Sequence, residues 1–136
     1  MADLYHPAIL ELSKNPVGFE KRPDAQYIVE AYNPVCADQF EIFFDLKEGK
    51  IENLTFHGYG CALSKASGST AVRLLSGLDL QGSTKFWNDF QSIIQNTGKP
   101  DIPDLEPFSP VKDHPGRIKC VTLIWEEFFK ELERIK

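Results

Sequence analysis

The stretch Gln39-Phe40-Glu41-Ile42-Phe43-Phe44-Asp45-Leu46 alternates apolar and polar positions with period two. Phe40, Ile42, Phe44 and Leu46 share one face, and Gln39, Glu41, Phe43 and Asp45 share the other, which is the pattern of a half-buried strand. Upstream, residues 26–32 (Gln-Tyr-Ile-Val-Glu-Ala-Tyr) are strand formers, broken by Asn33-Pro34. Downstream, Lys47-Glu48-Gly49-Lys50 reads as a hairpin turn, and residues 51–57 as a third strand with Leu54 and Phe56 inward. Three strands joined by short turns predict an antiparallel meander.

The flanking chain follows helical spacing. Residues 3–14 place Leu4, Ala8, Ile9 and Leu12 on one face, and Asn15-Pro16 ends the run because a residue before proline avoids the α region. Residues 61–76 carry Leu63, Ala66, Thr70, Leu74 and Leu75, with Gly77 as the stop. Residues 79–96 carry Leu80, Phe86, Trp87, Phe90, Ile93 and Ile94. Residues 117–135 place Ile118, Val121, Trp125, Phe128, Leu132 and Ile135 at steps of three and four, the clearest helix in the chain. Between the last two, Pro100, Pro103, Pro107, Pro110 and Pro115 predict a loop crossing over 98–116. Strands and helices are segregated, so the expected class is α+β: a three-stranded antiparallel sheet with helices packed on one face.

Composition narrows the function. A chain of 136 residues, 42% hydrophobic and 26% charged, suits a single domain over 1–136 with its own core. The net charge of −5 argues against nucleic-acid partners and anionic membranes, which call for a basic face. No apolar run is long enough to span a bilayer. The opening Met1-Ala2-Asp3-Leu4-Tyr5-His6 has neither a basic start nor an apolar stretch, so cytoplasmic localisation is expected.

Three cysteines, Cys36, Cys61 and Cys120, are too few and odd in number for a disulfide scaffold. Cys36 lies in the turn after strand one, Cys61 where strand three gives way to a helix, and Cys120 near the start of the last helix. In an antiparallel meander the ends of strands one and three lie at the same end of the sheet. A helix packed on that sheet can bring Cys120 to the same corner, where Asp38 also falls. Helix N-termini stabilise thiolates at Cys61 and Cys120, and Arg117 and Lys119 add positive charge near Cys120. Three thiolates and a carboxylate suit tetrahedral Zn²⁺; iron in a cluster is served by the same thiolates. The competing reading makes the cysteines small buried hydrophobes and Asp38 a turn residue.

At these residues the sequence resembles the IscU/NifU N-terminal family of iron–sulfur cluster assembly proteins. Asn33-Pro34-Val35-Cys36-Ala37-Asp38 is similar to the family's Asn-Pro-x-Cys-Gly-Asp. Gly58-Tyr59-Gly60-Cys61-Ala62-Leu63-Ser64-Lys65-Ala66-Ser67 is similar to its Gly-x-Gly-Cys-Ala-x-Ser-x-Ala-Ser. Arg117-Ile118-Lys119-Cys120-Val121-Thr122-Leu123-Ile124-Trp125 resembles the ending of the SufU branch, Arg-x-Lys-Cys-Ala-Thr-Leu-x-Trp. Lys119 stands where IscU-type scaffolds have histidine, and the Pro-rich stretch accommodates the insertion that marks SufU. Pro110-Val111-Lys112 is similar to a chaperone-binding motif of the scaffolds but lies too far upstream of Cys120. Ala37 replaces the family's glycine, a change that slows or traps cluster chemistry in scaffold members, and Val17 replaces its arginine in the N-terminal Lys-Asn-Pro motif.

The resemblance implies that Cys36, Asp38, Cys61 and Cys120 bind one Zn²⁺, with a transient [2Fe–2S] cluster on the same residues as the alternative. It implies a pyridoxal-phosphate-dependent cysteine desulfurase of the SufS type as partner, and downstream iron–sulfur assembly proteins as acceptors. In the SufU branch a histidine of the desulfurase takes over a zinc position and frees the first cysteine. Cys36 is then the catalytic residue, accepting the outer sulfur of the partner's persulfide, which makes the protein a sulfur carrier or sulfurtransferase. Arg117 and Lys119 would balance site charge or contact the partner. His57, His6 and His114 read as ordinary surface or half-buried residues, and Ser64, Ser67 and Ser69 as packing and capping groups. A structural zinc domain is disfavoured by the aspartate ligand, and a thiol hydrolase by the lack of a placed histidine base.

Overall fold

Residues 39–46 do form the centre of a strand, and the meander is built around it. The computed structural model describes residues 5–35, 37–95, 97–98 and 101–135. Helix α1 (Pro7–Lys14) precedes strands β1 (Tyr27–Asn33), β2 (Asp38–Lys47) and β3 (Lys50–Tyr59). Helices α2 (Ala62–Leu75), α3 (Leu80–Gln95) and α4 (Ile118–Ile135) follow. The sheet is antiparallel in the order β1-β2-β3, so the expected α+β meander is the observed one. None of the helices among the described residues is long and apolar enough to cross a membrane.

Local chemistry sets the strand pairing. Glu48 and Gly49 both take positive φ (54° and 79°) between the paired Lys47 and Lys50, the two-residue turn whose twist matches that of the strands. The β2–β3 register slips by one between Phe43 and Asp45, and Asn53, at φ 53°, takes up the extra residue. Asp45 braces this bulge. Its Oδ1 accepts from the Gln26 backbone N–H at 2.8 Å, and its Oδ2 from Arg22 at 2.9 Å and Asn53 Nδ2 at 3.0 Å. Arg22 also donates to the Asn53 carbonyl at 2.6 Å.

One face of the sheet meets the helices. Phe40, Ile42 and Phe44 of β2 join Val29 and Ala31 of β1 and Leu54 and Phe56 of β3 in one buried cluster with α2, α3 and α4. Phe43 points the other way and is nonetheless buried, so the opposite face is less open than its alternation suggests. Helix α2 is lined with small buried residues: Ser64, Ala66, Ser67, Gly68, Ser69 and Thr70. A Cβ on Gly68 would come within 2.7 Å of the Phe56 ring, so this helix lies directly on the sheet. Ser67 and Ser69 in this row bond to neighbouring backbone. Ser67 Oγ donates to the Val121 carbonyl, and Ser69 Oγ accepts from the Val17 N–H at 3.0 Å.

Two expectations change. The first helix begins at Pro7 rather than at residue 3. Proline at the first turn has no N–H to lose, and the exposed His6 caps it by accepting from the Ala8 N–H through Nδ1. Residues 1–4 lie outside the described residues. The Pro-rich crossing contains two 3-10 helices, Glu106–Asp113 and Pro115–Arg117, and drives Leu105, Phe108 and Val111 into the core. Prolines at the starts of these turns occupy positions that need no donor, so they shape the segment rather than break it.

Asp45 sits below the usual carboxyl range, chiefly because of the Gln26 N–H, with Asn53 and Arg22 adding to it against a burial penalty. A depressed folded-state pKa adds stability that is complete above about pH 4 and is lost as pH falls through the lower folded value. Asp45→Asn is therefore expected to cost about 1 kcal/mol at pH 7. The gap in thermal midpoint between variant and parent should close below pH 4, and a gap independent of pH would refute this role.

Candidate metal centre

The pairing pattern brings the site together. Asn33 faces Asp38 across β1–β2 and Gln39 faces Tyr59 across β2–β3, so three strand ends meet at one end of the sheet. Just beyond β3, Cys61 takes the N-cap of α2 in extended conformation. Cys120 is the third residue of α4, which packs beside α2; Trp125 of α4 donates to the Ser67 carbonyl at 3.2 Å. Metal-binding atoms of Asp38, Cys61 and Cys120 consequently lie within 4.8 Å of one another. Asp38 and Cys120 are buried and Cys61 is half-buried. Neither described cysteine is in a disulfide.

Gly60 permits this approach. A Cβ there would come 2.5 Å from the Phe40 ring and 2.9 Å from Asp38 Oδ1, so no larger residue fits between strand and helix. Cys36 lies outside the described residues. Of its neighbours, Val35 is 88% exposed and Ala37 holds a left-handed φ of 57°. That conformation suits glycine and costs an L-residue roughly 1 kcal/mol. It gives a physical reason for the glycine that the resemblance places there.

Asp38 is held from two sides. Its Oδ1 accepts from the Cys61 backbone N–H at 3.2 Å, and its Oδ2 from the Ser64 hydroxyl at 2.8 Å. The same hydroxyl lies 3.4 Å from Cys61 Sγ, so its single proton has two competing acceptors, carboxyl oxygen and sulfur. Cys61 closes no side-chain capping bond to its helix, yet the local dipoles still act on it. Burial pushes the Cys61 thiol up, and Asp38 adds to that. The Ser64 hydroxyl and amide and the Arg117 side chain outweigh both, so the thiol ionises below its ordinary range.

Arg117 is the cation of the site. Burial works against its charge, but hydrogen bonds to the sulfurs of Cys61 and Cys120 and to Tyr5 hold it more firmly protonated than usual. Lys119 pairs instead with Glu126 along the exposed side of α4. His57 is half-buried with its ring against Phe19, centroids 4.6 Å apart. Sequence reasoning took Ser64 as a packing and capping group and gave Asn33 and Gly60 no role beyond their places in the motifs. The signal for Ser64 was its spacing: three residues after an N-cap, a side chain reaches back to the helix start.

The donor set fits zinc. Two thiols and a carboxyl oxygen are ligand types that zinc takes, and here they lie within 4.8 Å of one another. Asp38, Cys61 and Cys120 are the described residues that would hold it.

A small α+β protein with a thiol–carboxylate cluster at one end of a three-stranded meander is a defined class. The chain belongs to the NifU-like N-terminal domain family, whose profile matches residues 4–103. It is 30% identical over 130 residues to the zinc-dependent sulfurtransferase SufU of Bacillus subtilis, spanning 93% of this chain and 88% of that protein. It is 25% identical over 134 residues to the iron–sulfur cluster assembly scaffold protein IscU of Thermotoga maritima, spanning 97% and 94%. Among solved structures, a protein of Fervidobacterium islandicum described as a SUF-system cluster assembly scaffold superposes with a TM-score of 0.85. The two are 25% identical, over 91% of this chain and 93% of that one. A NifU-like N-terminal protein of Brucella abortus shares the fold, with a TM-score of 0.87 at 18% identity over 97% and 94%.

Ser64→Ala removes one stabiliser of the Cys61 thiolate. In metal-free protein at pH 7, alkylation of Cys61 by iodoacetamide, followed by peptide mass mapping, is expected to slow roughly three- to ten-fold. Its pH midpoint should rise. An unchanged midpoint would remove Ser64 from the control of this thiol.

Proposed function

We propose that this chain is an iron–sulfur cluster biogenesis protein that carries sulfur. Acting as one domain in the cytoplasm, it takes sulfane sulfur from a pyridoxal-phosphate-dependent cysteine desulfurase of the SufS type and delivers it to downstream assembly proteins. Cys36, Asp38, Cys61 and Cys120 form the ligand set for one zinc ion. The observation that carries the proposal is the convergence of Asp38, Cys61 and Cys120 within 4.8 Å, beside the exposed turn that leads to Cys36. The zinc-dependent sulfurtransferase among the relatives adds support.

In the proposed exchange the Cys36 thiolate attacks the outer sulfur of the partner's cysteine persulfide. A new S–S bond forms, the partner's S–S bond breaks, and the partner's cysteine leaves as the thiolate with the bonding pair; there is no net oxidation. Bound zinc supplies positive charge that keeps the ligand thiols deprotonated and shields them from oxidation. Three thiolates and a carboxylate outweigh that charge, and the Arg117 guanidinium against Cys61 and Cys120 offsets the excess. The exposed Val35, Tyr32 (59%) and Tyr59 (79%) stand around the turn and would meet a docking partner.

Elemental analysis of anaerobically purified protein separates the readings. About one zinc per chain with negligible iron supports the carrier, whereas iron with matching labile sulfide supports a [2Fe–2S] scaffold on the same residues. Asp38→Ala is expected to lower zinc retention about tenfold or more, and unchanged zinc content would take Asp38 out of the ligand set. Cys36→Ala is expected to abolish stimulation of a SufS-type desulfurase while the fold persists. Full stimulation would move the acceptor role to another cysteine.

A further inference from the structure

The sheet has a second face, turned away from the helices, and its end nearest the metal centre holds a cavity of about 350 Å³. Register explains its shape. Glu30 faces Glu41, and Glu41 faces His57, in one row across the three strands. Tyr32, Gln39 and Tyr59 make the next row on the same face. Between them run Ala31, Phe40 and Gly58. The first two turn their side chains to the core and the third has none, so this middle row presents backbone alone. The result is a trough with two carboxylates along one side and a tyrosine at each end of the other. Tyr32 is 59% exposed and Tyr59 79%, and they stand two strand spacings apart, roughly 10 Å.

Two features of this trough are unfavourable in the isolated chain. Glu30 and Glu41 are like charges in directly opposed positions, which weakens a sheet. Among the described residues neither makes an ion pair, and the exposed Lys21 at the rim pairs with neither of them. His57 sets its ring on Phe19. Two tyrosine rings are meanwhile left in water beside the carboxylates, and Ile28, 46% exposed, continues the apolar surface along β1.

We propose that this trough docks an arginine side chain of a partner protein, its guanidinium set against Glu30 and Glu41 and stacked on Tyr32 and Tyr59. The chemistry selects the occupant. Opposed carboxylates call for a cation, and aromatic walls favour one with a flat, weakly hydrated face; arginine has both, whereas lysine offers a point charge. The net charge of −5 attracts a basic segment. Strands β1 and β3 end beside Asp38 and Cys61, so the docked partner lies next to the metal centre. The inference concerns protein recognition and holds whichever group the metal centre carries.

The probe is the peptide acetyl-Gly-Arg-Gly-amide, titrated at low salt into the isotope-labelled full chain and followed by backbone amide chemical shifts. Saturable shifts are expected at residues 30–32, 39–41 and 57–59. The same peptide with citrulline, which keeps the shape of arginine without its charge, is expected to give none. Glu30→Gln and Glu41→Gln should each weaken binding about ten-fold, and Tyr59→Ala roughly three-fold. Glu30→Gln relieves the facing charges, so its thermal midpoint should equal or exceed that of the parent. Absence of shifts with the arginine peptide, equal binding of the citrulline peptide, or unchanged affinity in both glutamine variants overturns the proposal. A lower midpoint in Glu30→Gln also overturns it, because the carboxylate would then serve the fold. A dimer of the parent chain in analytical ultracentrifugation that Glu41→Gln abolishes would give the trough to a second copy and overturn it as well.

Discussion

A carboxyl group with no solvent contact needs its oxygens filled from within the protein. Asp38 fills them with the Cys61 amide and the Ser64 hydroxyl, one just before helix α2 and one in its first turn. The start of β2 is thereby fastened to the start of α2, twenty-odd residues later in the chain. The position of Cys61, the seat of α2 on the sheet and the close approach at Gly60 all depend on that attachment. Removing the carboxyl group would leave the Cys61 N–H without its acceptor and the Ser64 hydroxyl with the Cys61 sulfur alone, a penalty separate from any lost metal ligand.

The site combines a rigid half and an exposed half. Cys61 and Cys120 are anchored at the starts of two helices that pack against each other, with Arg117 between their sulfurs. In the first turn Pro34, Val35 and Ala37 are exposed, and Ala37 is left-handed. Backbone strain at Ala37 raises the energy of the observed turn relative to alternatives.

Much of this was legible in the sequence because it followed from period and connectivity. The alternation of residues 39–46 and the short turns on either side gave the strand order, and strand order alone brought Asp38 and Cys61 together. Cys120 was placed by the strong helical period of α4. What could not be read has different causes. Leu105, Phe108 and Val111 enter the core through 3-10 turns, whose short runs leave no periodic trace among five prolines. The bulge at Asn53 depends on Arg22, a residue distant in sequence. Ser64 and Asn33 looked like ordinary cap and turn residues, and tertiary proximity alone gives them their place beside the cluster.

The aromatic layer has a consequence for optical work on this protein. Its two tryptophans, Trp87 and Trp125, stack on one another at 5.9 Å, with Phe90 and Phe129 around them. Both belong to the helical layer, and neither is among the residues of the metal centre. Intrinsic fluorescence therefore follows the docking of α3 on α4 and carries little information about the first turn. The close indole pair makes near-ultraviolet dichroism sensitive to the same contact. Events at the thiols need a signal of their own, such as the ultraviolet absorption of a thiolate.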